Sequence, residues 1–456
     1  METRTLINDY TQGSVPRQLL RFSTPLFFSN LFQVLYNMVD MAVVGAVCGA
    51  AGLSAVSVGG DVTNFLTLVA MGFSGAAQVI VSQLVGASRH NRLGRFIGNT
   101  ASLLLLASIV LSIAGIFLRV PILRLMNTPA ESYDQALAYS TVCMAGLAFI
   151  YGYNIVSAVL RGLGDAKHPF LFISIAAGLN IVLDLLFVAG LGLGAMGAAL
   201  ATVLGQAVSF VVSVIFLFRR RGALGFTISG TDFVRPDREL IGMLLRLGVP
   251  MAIKNGSVHV TKLFVNSHIN AYGVTVSAVA GIANKIGSMM VLCSNSVNSA
   301  GSTMVGQNIG ARKYERVTKI LVYTFLYVFL IALVFSLIML LCPNVLFGIF
   351  TSDPEVLAVC LEWQLIGIVA FGGSVARAPA NALINGSGNY KLNFAIALLD
   401  GYVMRIGLAL LFGISFGMGY RGFWLGDALA GYTPFLICSV FYLTGKWKTD
   451  RYVAKG

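Results

Sequence analysis

The sequence predicts an all-α integral membrane protein with twelve transmembrane helices in two six-helix lobes, related by a pseudo-two-fold axis along the membrane normal. Three observations support this fold class. Hydrophobic residues make up 57% of the 456 residues and charged residues only 11%, whereas soluble domains carry about 25% charged residues. The apolar residues form twelve stretches of membrane-spanning length, and the second half of the chain repeats motifs of the first.

Each apolar stretch is long enough to cross a bilayer, because a transmembrane helix needs about 20 residues. Six stretches lie in each half, and an even number returns the chain to its starting side, so both halves have the same orientation. The predicted spans are 17–46, 52–85, 94–118, 131–160, 168–191, 195–219, 239–270, 274–305, 316–342, 354–384, 391–416 and 420–445.

The internal repeat has an offset of 224 residues. Residues 160–165 read Leu-Arg-Gly-Leu-Gly-Asp, and residues 384–389 read Ile-Asn-Gly-Ser-Gly-Asn. At the same offset, Gly86-Ala87 is repeated as Gly310-Ala311. In a membrane protein, such a repeat indicates two bundles that move against each other around a central site, which is the architecture of secondary transporters.

The longest polar break lies between the repeats, at 218–240, and is rich in arginine. It predicts an N-terminal lobe at 1–218, a cytoplasmic linker at 219–240 and a C-terminal lobe at 241–456. The other connections are too short to hold a soluble catalytic domain, and no G-x-x-x-x-G-K-[ST] nucleotide-binding motif occurs. The expected energy source is therefore an ion or substrate gradient, and no cofactor is expected.

The distribution of basic residues predicts the orientation of the chain. Lysines and arginines concentrate in the loops on the side that holds both termini, whereas only Arg119, Arg124 and Arg421 lie in loops on the other side. The positive-inside rule therefore places both termini in the cytoplasm of a multi-pass cell-membrane protein. The net charge of +13 is expected to meet the anionic headgroups of the lipid bilayer rather than nucleic acid. Nothing in the sequence requires more than a monomer.

Two carboxylates, Asp40 and Asp184, fall well inside predicted spans. A charge at the bilayer centre costs about 2.5–3.5 kcal/mol on insertion scales, so an intramembrane carboxylate indicates a functional site. Asn180 lies four residues before Asp184 and shares its helix face, and Thr202 in the next span is close enough in the sequence to approach them. The supporting candidates are Tyr36, Asn37 and Gln206.

These side chains predict a cation site. Carboxylate, amide and hydroxyl oxygens are hard ligands that suit a sodium ion, and two neighbouring carboxylates can also hold a proton because both do not stay ionised together. The coupling ion is therefore left open between H⁺ and Na⁺. The alternative is that Asp184 is a buried acid that hydrogen-bonds Asn180 and has no role in transport.

Several motifs resemble those of the multidrug and toxic compound extrusion (MATE) transporters. Leu160–Pro169 is similar to the family's "LRGxGDxxxP" turn, and Val305–Arg316 is similar to its cytoplasmic loop after the eighth helix. Tyr36-Asn37-x-x-Asp40 matches in helix 1, and Asn180–Asp184, followed by Gly192–Gly197, matches in helix 5. Four matches in the correct order cover both halves of the chain.

The resemblance implies a secondary active antiporter, not an enzyme, that exports organic cations and drugs from the cytoplasm by alternating access. The exchanged ion would be a proton or a sodium ion, and the substrate a small lipophilic cation. The resemblance also implies a bacterial-type cation site in the N-terminal lobe, formed by the residues that match the family's positions. These are Asp40, Asn180, Asp184 and Thr202.

The second lobe departs from one branch of the family. Where that branch has acidic coupling residues in helices 7 and 10, this chain has Val258-His259 and Ser374-Val375, which shifts the expected coupling to Asp40 and Asp184. Lys285 and Arg405 are both expected to be structural. They would pair with Glu362 or Asp400, or donate hydrogen bonds to carbonyl groups at helix ends. The sequence leaves open the role of the lobe's basic residues, Lys254, Lys262, Lys285, Arg377 and Arg405.

Two alternative functions follow from the same residues. Basic residues in the second lobe are also expected in a lipid-linked oligosaccharide flippase of the same superfamily, where they would line a central cavity. An integral membrane enzyme would need a His/Asp or Cys/His constellation at a membrane surface. The four histidines are not clustered in the sequence, which argues against that alternative. They are His90, His168, His259 and His268.

Overall fold

The computed structural model describes residues 6–449, which fold into α-helices without β-strands, and this confirms the predicted all-α class. Residues 1–5 and 450–456, which belong to the predicted lobes, lie outside the described part. The helices are α1 Val15–Gly86, α2 His90–Leu125, α3 Ala130–Ala145, α4 Leu147–Gly162, α5 Lys167–Asp184, α6 Gly194–Arg219, α7 Gly230–Val234, α8 Arg238–Asn270, α9 Val274–Gly310, α10 Tyr314–Leu341, α11 Pro343–Gly348, α12 Pro354–Gly386, α13 Tyr390–Leu398, α14 Arg405–Leu410, α15 Tyr420–Ala430 and α16 Thr433–Leu443.

Every predicted span is helical. Within residues 6–449, nine helical stretches are long and apolar enough to cross a membrane, and α3 with α4 forms a tenth that bends by 47°. α1 has 72 residues and covers two predicted spans, so it contributes an eleventh. α8 is the twelfth; it is less apolar because Lys254, His259 and Lys262 interrupt its sequence.

α1 is divided at Gly49, between its two predicted spans. Gly49 has φ 62° and ψ −156°, a backbone conformation that essentially only glycine adopts. Three other helices continue directly into a π-helical turn. These turns are Leu185–Gly190 after α5, Leu399–Met404 after α13 and Leu411–Ser415 after α14. Each π turn inserts a residue into the α-helical spacing and so changes the direction of the side chains beside it.

The chain forms two compact units. The first contains residues 28–252 and the residues up to Asn8, and the second contains Asp9–Phe27 and residues from Ile253 onward. The first half of α8 belongs to the first unit because α1 and α8 touch closely at glycines: a methyl group on Gly72 would lie 2.5 Å from the backbone of Ala252. The lobe boundaries at 218 and 241, which were predicted from the sequence repeat, remain a prediction.

The predicted linker is held against α2 within the first unit. Asn99 Nδ2 donates to the carbonyl oxygens of Asp232 at 3.0 Å and Arg235 at 3.3 Å. Asn99 Oδ1 accepts from the backbone N–H of Asp237 at 2.6 Å. Since one buried amide satisfies three backbone groups of the linker, this segment has a defined position on α2.

Gly94 allows the linker to approach α2, and Gly94→Ala is expected to displace it. A methyl group at Gly94 would lie 2.0 Å from the carbonyl oxygen of Thr227, and overpacking of this kind costs about 1–3 kcal/mol. The population of detached linker should then rise about tenfold or more, with a matching increase in tryptic cleavage at the linker arginines in native membranes. Gly230→Ala is the control, because its added methyl would meet no atom within 4 Å. Equal cleavage of both variants would contradict the docked position.

Candidate functional site

Asp40 is buried in α1, with 4% of its surface exposed. Its Oδ1 atom accepts no hydrogen bond from the described residues, and its carboxylate makes no ion pair there. One turn further along α1, Val44 belongs to an apolar cluster with Tyr139 and Ala198, which come from α3 and α6. The Asp40 carboxylate is therefore a charged group beside an apolar core, a costly arrangement without a bound cation.

Asp184 is the last residue of α5 and is completely buried. Neither of its carboxylate oxygens has a hydrogen-bond partner among residues 6–449. The π turn at Leu185–Gly190 follows directly, and such turns occur often at functional sites because they redirect side chains. Asp184 is close enough to Asp40 for the two carboxylates to interact electrostatically, so the fold brings together the two acids identified in the sequence.

Asn180 and Thr202 meet where α5 and α6 approach closely. Asn180 Nδ2 lies 3.5 Å from Thr202 Oγ1, within hydrogen-bond distance. Gly205 permits this approach, since a methyl group there would lie 3.1 Å from the carbonyl oxygen of Ala176 and 3.6 Å from Cβ of Asn180. The amide oxygen of Asn180 accepts no hydrogen bond from the described residues.

The supporting residues fall into two groups. Tyr36 is buried and lies beside Gln206, whose Oε1 atom is also buried without a hydrogen-bond partner among the described residues. Asn37 is exposed, because it follows Tyr36 directly and therefore projects about 100° further around the helix. Tyr36 and Gln206 are thus placed at the site, and Asn37 is placed outside it.

The sequence reasoning did not identify Tyr139 and Cys143 of α3. Both are buried and interact electrostatically with Asp40. Their spacing of four residues puts them on one helix face, and this spacing is the one feature of the sequence that could have identified them together. It is weak, because tyrosine and cysteine are common core residues.

The donor atoms of this site fit a hard cation. Five buried oxygens have no hydrogen-bond donor in the described part of the chain, although buried polar atoms are nearly always satisfied. Carboxylate and amide oxygens of this kind suit Na⁺, and the two carboxylates can also hold a proton. Among residues 6–449, no group of three His, Cys, Asp or Glu residues forms a metal site. The five atoms are Asp40 Oδ1, Asn180 Oδ1, Asp184 Oδ1, Asp184 Oδ2 and Gln206 Oε1.

The second unit holds a different set of charges. Arg405 pairs with Asp427 and lies 3.5 Å from Asp400, so the expected structural pairing of Arg405 with Asp400 is present. Lys285 instead is exposed and makes no ion pair in the described part of the chain. Glu362 pairs with Arg421 at 2.6 Å, so the pairing of Lys285 with Glu362 or Asp400 was wrong. The positions of these residues along the chain did not show that Arg421, rather than Lys285, lies beside Glu362.

Comparison with known families gives two matches of one family model in this chain. The MatE model matches residues 25–186 and, again, residues 250–411. The two matches together cover more than half of the chain, and they begin 225 residues apart. They confirm the internal repeat.

Individual relatives are similar over almost their whole length. The probable multidrug resistance protein YpnP of Bacillus subtilis is 28% identical over 445 residues, covering 97% of this chain and 98% of that protein. The probable multidrug resistance protein NorM of Thermotoga maritima is 25% identical over 439 residues, covering 95% and 93%. A crystal structure of a MATE in complex with MaD3S has a TM-score of 0.87 at 25% identity and covers 96% of this chain and 98% of that one.

Proposed function

This chain belongs to the MatE family of multidrug efflux transporters, and from that premise we propose that it is an antiporter that exports drugs in exchange for protons or sodium ions. Members of this family are multi-span membrane transporters of small molecules. The family's members are transporters rather than enzymes and need no cofactor. We infer in addition that a cation gradient drives the exchange, that the substrate is a lipophilic cation, and that the protein is a monomer in the lipid bilayer with cytoplasmic termini.

The observation that supports ion coupling is the buried pair of Asp40 and Asp184. No basic side chain in the described structure is paired with either carboxylate, so a bound cation would relieve their mutual repulsion. A cation that is shared between the two acids would also connect α1 to α5. Binding would therefore favour the arrangement in which α1 and α5 are drawn together, and release would favour the other.

Antiport follows if the ion and the drug compete for the same negative charge. With no ion bound, the carboxylates attract a lipophilic cation that enters from the cytoplasm. An entering proton or sodium ion neutralises that charge, so the drug cation loses its electrostatic attraction and leaves. If one proton is exchanged for one monovalent drug cation, no net charge moves, and the chemical gradient of the ion alone drives export.

The test is ethidium efflux from drug-hypersensitive cells that express the wild-type protein. We expect efflux that stops when an ionophore collapses the coupling gradient. Nigericin in potassium medium dissipates a proton gradient, and replacing sodium with choline removes a sodium gradient. Loss of efflux under only one of these treatments identifies the ion, and efflux that survives both treatments would contradict cation-driven antiport.

A flippase for lipid-linked oligosaccharides is the second candidate. It is favoured by the basic residues of the second unit, where Lys254, Lys262, Arg377 and Arg405 lie in transmembrane helices. Transport of a lipid-linked oligosaccharide in proteoliposomes, together with absent ethidium efflux in cells, would favour the flippase over the drug exporter.

A further inference from the structure

The second unit contains a cluster of charged side chains that the proposed coupling does not use. Each member interacts electrostatically with at least one other member, and the members come from α8, α12, α14, α15 and the π turn after α13. We call them the basic cluster. The basic cluster consists of Lys254, Lys262, Arg377, Arg405, Asp400 and Asp427.

The two acids of the basic cluster are already shared by its two arginines. Asp400 lies 3.1 Å from Arg377 and 3.5 Å from Arg405, and Asp427 pairs with Arg405. The two lysines have no carboxylate partner within ion-pair distance in the described structure. Lys254 donates instead to two neutral amides, Asn381 Oδ1 at 2.9 Å and Asn393 Oδ1 at 3.2 Å.

The rest of the second unit does not supply the missing negative charge. Between residues 253 and 449, the remaining acidic residues are few, and each lies elsewhere. Glu362 pairs with Arg421, and the other three lie at or just before the first turn of α10 or α12. With every group ionised, the basic cluster therefore carries two more positive charges than negative charges. The three acidic residues at helix starts are Glu315, Asp353 and Glu355.

A second observation also indicates that an acceptor is missing. Arg405 is 97% buried, its exposed fraction being 3%, yet its Nε atom donates to no acceptor among residues 6–449. Buried N–H donors are almost always satisfied, and a charged one especially so. The basic cluster is accessible, because the side chains of Arg377 and Asp427 are 25% and 29% exposed. An anion can therefore approach the basic cluster from the side of Arg377 and Asp427.

The basic cluster has a sign of charge opposite to that of the corresponding part of the first half. The two matches of the family model begin 225 residues apart, and at that offset Asn37 in the first helix corresponds to Lys262 in α8. The helix that carries Asp184 corresponds to the span 391–416, which carries Arg405. Among the described residues, the first unit has two buried carboxylates without a basic partner at ion-pair distance, and the basic cluster of the second unit has two lysines without an acidic partner at that distance.

We propose that the basic cluster binds an oxyanion, either a carboxylate or a phosphate, that is part of the transported molecule. Lys254, Lys262 and the Nε–H of Arg405 would contact the oxyanion, and Arg377, 3.1 Å from Asp400, would offset the negative charge of that carboxylate. This inference rests on the proposed export function and assigns the acidic group of a transported molecule to the basic cluster. Guanidinium and ammonium groups recognise carboxylates and phosphates through charge-assisted hydrogen bonds, which are about twice as strong as neutral ones.

The test compares two dyes that differ in one carboxylate. Rhodamine B is a zwitterion with a free carboxylate, and its ethyl ester is a cation of nearly the same shape. Binding of each dye to the purified full-length protein in dodecyl maltoside is measured by fluorescence anisotropy. No gradient is present, so the result does not depend on whether the protein is an antiporter.

We expect the wild-type protein to bind the acid about tenfold more tightly than the ester, and Lys262→Gln to remove that difference while ester binding persists. Tenfold corresponds to about 1.4 kcal/mol, the size of one charge-assisted contact. Lys262→Arg should retain the preference, and Lys254→Gln should lose it. Lys285→Gln is the matched control, because Lys285 is a basic residue of the same unit outside the basic cluster.

Three results would overturn the proposal. The first is that the acid binds the wild-type protein no more tightly than the ester does, including the case in which neither dye binds. The second is that Lys285→Gln weakens binding of the acid as much as Lys262→Gln does, which would mean that binding depends only on the net charge of the protein. Finally, dioctanoyl phosphatidylglycerol could displace the acid much more effectively than dioctanoyl phosphatidylcholine, which would assign the site to a lipid headgroup rather than to a transported solute.

Discussion

Replacing Asp40 with asparagine is expected to abolish ion-driven efflux while leaving a folded protein. Asparagine has nearly the shape of aspartate but no charge, so the packing of α1 is kept and one charged ligand is lost. One unit charge at 4 Å contributes about 4 kcal/mol at an effective dielectric constant of 20. Cation affinity should therefore fall by about 100-fold or more, and ethidium efflux at equal membrane abundance should fall with it.

The same variant distinguishes a coupling acid from a structural one. Asp40 and Asp184 are buried near each other without a basic partner in the described structure, so removing one charge should raise the thermal stability of the detergent-purified protein. A structural, hydrogen-bonded acid would instead lose stability on substitution. Asp61→Asn is the control, because Asp61 lies on the same helix but is exposed. Undiminished efflux by Asp40→Asn would remove Asp40 from the proposed mechanism.

Arg405→Met is expected to prevent the second unit from folding stably. Arg405 is 3% exposed and pairs with Asp427 and Asp400. Removing one partner of a buried ion pair costs about 3–5 kcal/mol, since the remaining charges are buried without compensation. That is a large part of the 5–15 kcal/mol that typically separates folded from unfolded proteins. The expected observation is loss of the monodisperse peak in size-exclusion chromatography.

Two further variants make this result specific. Arg405→Met combined with Asp427→Asn should recover part of the folded protein, because the uncompensated carboxylate is removed together with the arginine. Arg421→Met removes the arginine of the pair with Glu362, whose side chains are 53% and 34% exposed. Exposed pairs contribute about 0–1 kcal/mol, so this variant should elute as wild type does. Equal profiles for Arg405→Met and Arg421→Met would show that the buried network is not needed for folding.

The helices and the acidic residues of the site could be predicted because their signals are local. Apolar length marks the spans, and the spacing of Asn180 and Asp184 puts both side chains on one helix face. α8 also followed from the sequence as one of the twelve apolar stretches, although Lys254 and Lys262 lower its hydropathy.

The remaining features depend on contacts between distant residues. Asp427 lies in α15, and its pairing with Arg405 depends on how α14 and α15 pack. The approach of Tyr139 and Cys143 to Asp40 likewise depends on the packing of α3. The π turns, such as Leu185–Gly190, have no periodicity that distinguishes them from α-helix in the sequence.

The opposite polarity of the two halves has a consequence for their evolution. A chain that joined two copies of the first half would contain two acidic sites and no basic cluster, and two copies of the second half would have the reverse composition. If both chemistries serve the same substrate, the duplicated halves are no longer interchangeable. Covalent fusion then guarantees one half of each kind in every molecule, whereas separately encoded halves would have to find the correct partner and avoid their own copies.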